Sequence, residues 1–172
     1  TIPTLNEDKN INKIYKKITN VNKKYFILFI DDNSDDESQQ IIKILKKKNK
    51  RVKYIFREKK LGIGSAHVEG LKYASKNKFK YVCTMDSDGT HDPIYIKKML
   101  NLLKKSDIVI TNRFLIKKSL KGFGFFRILI TKIRYYLVWF LLGSKLDGSG
   151  GFRIYDFNKT KIKDIIESKA LD

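Results

Sequence analysis

The sequence predicts an α/β domain in which a mostly parallel sheet is flanked by helices. Apolar runs typical of buried strands occur at 25–30, 81–85 and 108–110. Between these runs the apolar residues follow a helical period, so strands and helices alternate along the chain. Such alternation is typical of parallel sheets with right-handed crossovers. At 172 residues and 42% hydrophobic content, the chain is large enough to bury one core.

The elements follow one another from the first residues onward. A first strand ends near Pro3, and alternation at Val52, Tyr54 and Phe56 predicts a half-buried strand in the middle of the chain. A short glycine-rich loop at 148–151 leads into a last strand at 152–155. Three helices are predicted by residues spaced i, i+3, i+4 and i+7, all of them apolar except Ser38. They are Ile11, Ile14, Tyr15 and Ile18; Ser38, Ile41, Ile42 and Leu45; and Ile96, Met99, Leu100 and Leu103.

Two of these helices carry start signals in the sequence. Ser34 and Glu37 have the spacing of a capping box, in which each side chain caps the backbone of the other. Asp92 before Pro93 predicts an N-cap with proline at the first helical position. We therefore expect helices to begin close to Ser34 and to Pro93.

The composition restricts the classes of partner. The formal net charge of +19 favours polyanionic ligands, but the lysines are scattered among Ile and Asn and indicate no nucleic-acid site. The single cysteine, Cys83, excludes an internal disulfide and favours a reducing, cytoplasmic compartment. No uninterrupted apolar run of about 18 residues is present, so no membrane-spanning helix is predicted.

Acidic residues follow the predicted strands where ligands of parallel α/β sheets usually bind. Asp86 and Asp88 close the strand at 81–85, and two carboxylates at i and i+2 can reach one hard cation. We expect them to bind Mg²⁺ or Mn²⁺, which would neutralise a diphosphate. Asp31 and Asp32 follow another strand, where exposed carboxylates would accept hydrogen bonds from a ribose or a base. A solvated turn before a capped helix is the alternative for this second pair.

Three further features are compatible with phosphate ligands. The small residues at 61–66 would let the backbone approach a diphosphate at a helix N-terminus, although close helix packing explains them equally well. Arg113, Arg127 and Arg153 could each clamp a phosphate with two hydrogen bonds. His67 and His91 have no acidic partner at triad spacing, so neither is predicted to be a general base. A phosphate monoester acceptor would need none, because it is largely a dianion at neutral pH.

The segment 123–142 is a candidate interfacial amphipathic helix. It places Arg127 and Arg134 on one helical face and surrounds them with aromatic and aliphatic residues. The alternative is a helix buried against the sheet. On the first interpretation the segment would contact anionic lipid headgroups.

An ordered set of motifs gives a more specific indication. In order, 2–7, 31–36, 61–66 and 85–88 resemble the family 2 inverting glycosyltransferases. Within that family, 89–93, 111–114 and 147–155 resemble the branch of polyprenyl-phosphate and dolichyl-phosphate mannose synthases. The resemblance extends from Thr1 to about Tyr155.

This resemblance implies a GT-A fold and assigns roles to named positions. It implies that one set of residues binds the donor nucleotide, that Asp86 and Asp88 bind the metal, and that Asp88, Arg113 and Arg153 act in catalysis. Arg113, Arg127 and Arg153 would face donor or acceptor phosphates. The implied nucleotide-binding residues are Pro3, Asn6, Glu7, Asp31, Asp32 and Asp86.

The function expected from this resemblance is metal-dependent transfer of a hexose, mannose from GDP-mannose, to a polyprenyl phosphate. The protein would lie peripherally at the cytoplasmic face of a membrane. Donors such as UDP-glucose or UDP-N-acetylglucosamine, a glycan acceptor, and a binding module without turnover are the alternatives. We expect residues 1–172 to form a single catalytic domain that is truncated at both ends.

Overall fold

The computed structural model describes residues 1–112 and 150–161. It also describes seven helical residues of the segment between them, which are Leu129, Ile130, Ile133, Tyr136, Leu137, Trp139 and Phe140. Six strands and four α-helices have assigned bounds in this part of the chain. In chain order they are β1 (Ile2–Thr4), α1 (Asp8–Val21), β2 (Ile27–Asp31), α2 (Ser38–Lys48), β3 (Val52–Phe56), α3 (Ile63–Lys76), β4 (Tyr81–Thr84), α4 (Ile96–Leu102), β5 (Ile108–Ile110) and β6 (Arg153–Asp156).

The strands form two groups of three. β1, β2 and β3 are parallel, with Ile2 opposite Phe29 and Phe29 opposite Tyr54. In the second group β6 lies between β4 and β5 and runs antiparallel to both, with Cys83 and Val109 opposite Ile154. β4 and β5 therefore run in the same direction as each other.

The two groups meet at β1 and β4. The main-chain nitrogen of Thr1 donates to the Cys83 carbonyl, and Met85 N donates to the Thr1 carbonyl over 3.2 Å. This backbone pairing continues the sheet from β3 to β5. The predicted α/β architecture with a parallel sheet flanked by helices is confirmed, and the antiparallel insertion of β6 is the feature that the alternating pattern did not reveal.

The helices bury the faces that the periodicity predicted. Ile11, Ile14 and Ile18 of α1 pack with Phe29 and Met85 in the main core. A smaller cluster under α3 contains Leu71, Ala74, Val82 and Tyr155. The two clusters lie on opposite faces of the sheet. The carboxyl ends of the strands are therefore held between two packed layers.

One predicted helix start is wrong and another is confirmed. α2 begins at Ser38, because Ser34 donates its hydroxyl to Asp31 instead of capping a helix with Glu37. Asp92 does accept a hydrogen bond from Ile94 N over 3.0 Å, and Pro93 begins a single 3₁₀ turn before α4.

β3 is the outer strand of the parallel group. Tyr54, expected on the buried face of this strand, is 39% exposed and stacks on Phe56 with ring centroids 4.3 Å apart. Lys53 is the second residue of the strand, and the ammonium of Lys46 on α2 lies beside it. Position at the edge of the sheet explains the exposure.

Seven helical residues of the 123–142 segment are described, and all seven side chains are exposed and apolar or aromatic. Arg127 and Arg134 of that segment lie outside the described residues. Within the described part of the chain, no helix has both the length and the apolar character needed to cross a bilayer.

Candidate functional site

The loops that follow β1 and β2 are joined by hydrogen bonds at the carboxyl edge of the sheet. Asn6, whose φ is +56°, donates its main-chain N–H to Ser34 Oγ over 2.9 Å. Its side-chain oxygen accepts from Asp35 N over 3.2 Å, and Glu7 N donates to Ser38 Oγ over 2.8 Å. Pro3 is buried in β1 behind this contact. Asn6 and Glu7 therefore lie against the loop that follows β2.

Asp31 lies beneath that surface as a fully buried carboxylate. It accepts hydrogen bonds from Thr4 Oγ1 at 3.0 Å and from Gln39 Nε2 at 2.8 Å. The Ser34 main-chain N–H and hydroxyl donate to it at 2.9 and 2.6 Å. Four protein donors surround the group, so its first effect is to hold β1, β2 and the start of α2 together.

Asp32 is held in the same way by the other side of the site. Its carboxylate accepts from Leu61 N at 2.9 Å, from Gly62 N at 2.8 Å and from Arg57 Nη1 at 3.0 Å. Arg57 is also buried, and its Nε donates to Glu69 Oε2 over 2.8 Å. This buried network fixes the 57–62 loop and the start of α3, where Gly62 adopts φ +88°.

The electrostatics of Asp32 agree with that geometry. Burial favours the neutral carboxyl, but the two backbone donors and Arg57 outweigh it and lower the pKa of Asp32 below its ordinary value. The expectation that Asp31 and Asp32 are exposed is wrong, since their side chains point into the protein. Their predicted contact with a nucleotide stays a prediction.

Asp86 follows the end of β4, and the backbone of Gly151 approaches its carboxylate closely. A Cβ atom added to Gly151 would lie 3.0 and 3.3 Å from the two Asp86 carboxylate oxygens. Thr84 Oγ1 donates to the Gly151 carbonyl over 2.7 Å and fixes that loop. A side chain at this position would push the carboxylate away by a few tenths of an ångström.

Two histidines flank the same carboxylate. His67 Nε2, from α3, lies 4.0 Å from Asp86 Oδ1, and His91 Nδ1 lies 3.6 Å from Oδ2. The His91 ring also stacks on Phe152 with centroids 5.3 Å apart. The carboxylate is therefore placed between α3 and the loop after β4.

Neither histidine forms an ion pair with Asp86 at neutral pH. The main-chain N–H of Asp86 donates to His91 Nδ1 over 2.9 Å, so that nitrogen carries no proton and the ring is neutral. Burial, with a smaller contribution from nearby positive groups including Arg153, lowers the pKa of His67 to about 4. Both rings therefore line the Asp86 carboxylate in their neutral form.

Asp88 occupies the open side of this turn. Its side chain is exposed, and one carboxylate oxygen accepts from Thr90 N at 2.9 Å and from Thr90 Oγ1 at 2.7 Å. Gly89 adopts φ +82° between them, which sharpens the turn. One oxygen of Asp88 thus helps to fix the turn in which this exposed carboxylate lies.

The donor set of this turn fits a hard divalent cation bound together with a substrate. The described residues contain no group of three or more His, Cys, Asp or Glu side chains arranged to hold a metal. Mg²⁺ characteristically uses only one or two carboxylates and takes its other ligands from substrate phosphates and water. Asp86 and Asp88 satisfy that requirement without a full protein cage.

Of the three arginines predicted to bind phosphate, the structure describes Arg153. Arg153 begins β6, opposite Thr84 and Ile110, and its Nε donates to the Gly150 carbonyl over 2.7 Å. This places a guanidinium beside the Gly151 loop that packs on Asp86. Arg113 and Arg127 lie outside the described residues.

Four members of this site make contacts that sequence reasoning did not predict. The position of Arg57 after the third strand was a usable signal, because arginine at a carboxyl end rarely lacks an acidic partner when buried. Nothing local predicted that Glu69, His67 and Gly151 would meet residues 12 to 65 positions away. Those contacts depend on how α3 and β6 pack.

Comparison with known proteins identifies the family. The family model described as "Glycosyl transferase family 2" matches residues 1–161, and the chain belongs to that family. A "Dolichol-phosphate mannosyltransferase" of Pyrococcus furiosus is 35% identical over 134 residues, which cover 76% of this chain and 37% of the relative. A "Polyprenol monophosphomannose synthase" of Mycolicibacterium smegmatis is 26% identical over 174 residues, which cover 99% of this chain and 64% of the relative.

Two solved structures of S. aureus TarS residues 1–349, one with UDP, resemble the chain more weakly. Their TM-scores are 0.49 and 0.48 at 23% and 22% identity, and the match covers 63% of this chain and 33% of theirs. The chain spans about a third to two thirds of the length of these relatives. Family membership and the α/β sheet agree with the predicted GT-A fold and with the mannose synthase branch.

Proposed function

We propose that this protein transfers a hexose, mannose from GDP-mannose, to a polyprenyl phosphate in a metal-dependent, inverting reaction. The observation that carries the proposal is the turn after β4 in a family 2 chain. There Asp86 is held between two neutral imidazoles and Asp88 faces solvent. Two carboxylates at i and i+2 in a turn at this edge of the sheet are suited to a hard cation that carries a diphosphate.

The choice of sugar and acceptor is supported by the relatives. The two curated relatives described above carry names that refer to dolichol phosphate or polyprenol and to mannose. A UDP-sugar donor such as UDP-glucose or UDP-N-acetylglucosamine, or a glycan acceptor, is the alternative, since the same acids would serve either nucleotide.

In the proposed reaction an acceptor phosphate oxygen bonds to the anomeric carbon while the bond from that carbon to the donor diphosphate breaks. Attack from the opposite face inverts the anomeric configuration. Bound through Asp86 and Asp88, Mg²⁺ or Mn²⁺ would act as a Lewis acid for the departing diphosphate. The chain's own contribution is positioning: His91 and Gly151 fix Asp86, and Arg153 presents a positive charge beside it.

This scheme requires no general base. The acceptor phosphate is already a dianion at neutral pH. His67, with a pKa of about 4, and His91, whose Nδ1 accepts a hydrogen bond, are both held neutral. Arg113 and Arg153 are proposed to neutralise phosphate charge in the transition state, and Arg127 to contact the acceptor phosphate.

We place the reaction at the cytoplasmic face of a membrane. Seven described side chains of the 129–140 segment present apolar or aromatic surface to solvent. The chain's net charge of +19 would add attraction to anionic headgroups. An amphipathic helix lying in the interface would bring the site to a lipid phosphate.

Calorimetric titration with GDP, UDP and their hexose conjugates tests the donor site, with Mn²⁺ present and with the metal chelated. We expect metal-dependent binding of one nucleotide, and its loss in Asp88→Ala. Asp107→Ala is the matched control, because Asp107 is an exposed carboxylate at the opposite edge of the sheet, before β5. Failure of folded protein to bind any nucleotide diphosphate at millimolar concentration would overturn the assignment.

Transfer of labelled mannose to a short-chain polyprenyl phosphate separates an enzyme from a binding module. The experiment uses the chain of 172 residues. Nucleotide binding without transfer would favour the non-catalytic alternative.

A further inference from the structure

The two oxygens of the Asp86 carboxylate lie in different surroundings. Oδ1 is buried, whereas the Asp86 side chain as a whole is 30% exposed, so none of that exposed surface belongs to Oδ1. His67 Nε2 lies 4.0 Å from Oδ1, and His91 Nδ1 lies 3.6 Å from Oδ2. Each oxygen therefore has an imidazole neighbour of its own.

The His91 ring cannot hold Oδ2 through the nitrogen that faces it. The main-chain N–H of Asp86 donates to His91 Nδ1 over 2.9 Å. A ring nitrogen that accepts a hydrogen bond carries no proton, so Nδ1 has nothing to donate to the carboxylate. His91 therefore fixes the backbone of Asp86 and leaves the orientation of the side chain to other groups.

His67 stands in the opposite relation to Oδ1. A neutral imidazole carries one proton on either of its nitrogens. Nδ1 of His67 is buried and has no hydrogen-bond partner among the described residues. A proton there would be a buried donor without an acceptor, and the lone pair of Nε2 would then face a carboxylate. The surroundings therefore favour the tautomer in which Nε2 carries the proton and points a donor at Oδ1.

Helix α3 fixes the place from which His67 acts. Ala66, the residue before it, is fully buried in a cluster with Ile30 of β2. One turn later, a Cβ atom on Gly70 would lie 3.0 Å from Ile30 Cδ1, so the helix lies close against the sheet. The carboxylate of Asp32 also accepts a hydrogen bond from the main chain directly before α3. His67 is thus carried by a helix whose position is set by the sheet.

The distance between His67 and Asp86 is longer than a hydrogen bond. A movement of about 1 Å would bring Nε2 and Oδ1 within hydrogen-bond distance. Hydrogen bonds of active sites frequently shorten in this way when substrate binds. The backbone of Gly151 lies on another side of the carboxylate and limits the directions in which it can move. Closure of the His67 contact is compatible with these surroundings.

We propose that His67 is a positioning residue for the metal, whose Nε2–H holds Oδ1 of Asp86 and so presents Oδ2 to the divalent cation. This inference rests on the proposed function, in which Asp86 binds Mg²⁺ or Mn²⁺. His67 contacts neither nucleotide nor acceptor in this role and acts through Asp86 alone. A hydrogen bond from outside the metal site orients the ligand and strengthens metal binding.

Calorimetric titration with GDP, in the presence of Mn²⁺ and with the metal chelated, tests the role of the donor. His67→Leu removes the N–H, whereas the amide of His67→Gln can still donate to Oδ1. We expect His67→Leu to lower the metal-dependent affinity about 10- to 100-fold, as is typical when the partner of a metal ligand is lost. His67→Gln should retain most of that affinity. Lys72→Leu, an exposed position of the same helix, is the matched control and should change nothing.

The outcomes separate the inference from the function on which it rests. Unchanged metal-dependent affinity in His67→Leu, or equal losses in His67→Leu and His67→Gln, would overturn the role of His67 and leave the proposed function standing. Absence of Mn²⁺-dependent binding of GDP or UDP by the unaltered chain would overturn both. Midpoints of thermal unfolding, measured on the same samples, should differ less between the two variants than their affinities do.

Nuclear magnetic resonance gives a second readout that needs no metal. Long-range proton–nitrogen correlation spectra show which ring nitrogen of a histidine carries the proton. His67 and His91 are the two histidines of the chain, so His67→Gln assigns both sets of signals. We expect the proton of His67 on Nε2 at neutral pH. A proton on Nδ1 would overturn the inference whatever the affinities show.

Discussion

The acids after β2 and the acids after β4 occupy equivalent places at the carboxyl edge of the sheet, yet the protein treats them differently. Asp31 and Asp32 are nearly fully buried and accept seven hydrogen bonds between them from protein donors. Asp86 is flanked by neutral imidazoles, and Asp88 is exposed. The first pair stabilises the fold around the site, and the second pair is the one proposed to bind the metal.

Removal of Asp32 should have the largest effect on stability. Asp32→Ala leaves Arg57 buried with only Glu69, which is partly exposed, as an acidic partner. Loss of one partner from a buried pair costs about 3 to 5 kcal/mol. Urea unfolding should show this loss, and the double variant Asp32→Ala with Arg57→Met should recover part of it. A loss below about 1 kcal/mol would mean that the pair contributes little to the fold.

Removal of Asp88 should separate function from stability. Asp88→Ala should reduce metal-dependent transfer at least about 100-fold, as expected for loss of transition-state charge stabilisation. Because its side chain is exposed, the free energy of unfolding should change by less than about 0.5 kcal/mol. Transfer activity and urea unfolding, measured on one preparation, test whether activity is lost without stability. Destabilisation as large as that of Asp32→Ala would erase the distinction between the two pairs.

Gly151→Ala should weaken binding more than folding. The new Cβ would lie 3.0 Å from an Asp86 oxygen and 3.3 Å from His91 Cε1, so the carboxylate must move. We expect metal-dependent nucleotide affinity to fall about tenfold, near 1.4 kcal/mol.

Gly62→Ala is the matched control for that change. A Cβ at Gly62 meets no atom within 4 Å, but its φ of +88° strains any other residue by about 1 to 3 kcal/mol. This variant should lose stability and retain metal-dependent affinity. If both glycine variants weaken binding equally, contact with Asp86 is not the cause.

The smallest expected effect is the loss of the stabilising contribution of Asp32 at acid pH. Since the folded-state pKa of Asp32 is lowered, its ionised form stabilises the protein above the ordinary aspartate pKa, and this contribution is lost as pH falls through the folded value. The difference in unfolding free energy between the natural chain and Asp32→Asn should therefore become smaller below about pH 4. Urea unfolding midpoints between pH 7 and pH 3 measure this difference. A difference that grows toward acid pH would contradict a stabilising role of ionised Asp32.

Much of the fold was predictable because its signals are local. The helical period identified the buried faces of α1, α2 and α4, and the Asp92 and Pro93 pair predicted the start that is observed. The rule for carboxyl ends of parallel strands placed Asp86 and Asp88 at the candidate site. These features depend on spacing along the chain alone.

The remaining features depend on partners distant in sequence. Ser34 could cap a helix or bond to Asp31, and only the packed fold decides in favour of Asp31. The inward orientation of Asp32 depends on Arg57, 25 positions later, and on a loop at Gly62. The place of β6 between β4 and β5 depends on pairing across more than 40 residues.

The lysines at the outer strand β3 oppose edge-to-edge pairing of two copies of this protein. Within the described residues no strand pairs with its outer edge, and Tyr54 and Phe56 add apolar surface there. Lys53 is the second residue of this strand, and its closeness lowers the pKa of Lys46. A second copy aligned edge to edge would bring two such ammonium clusters together, and their repulsion disfavours the first step toward aggregation.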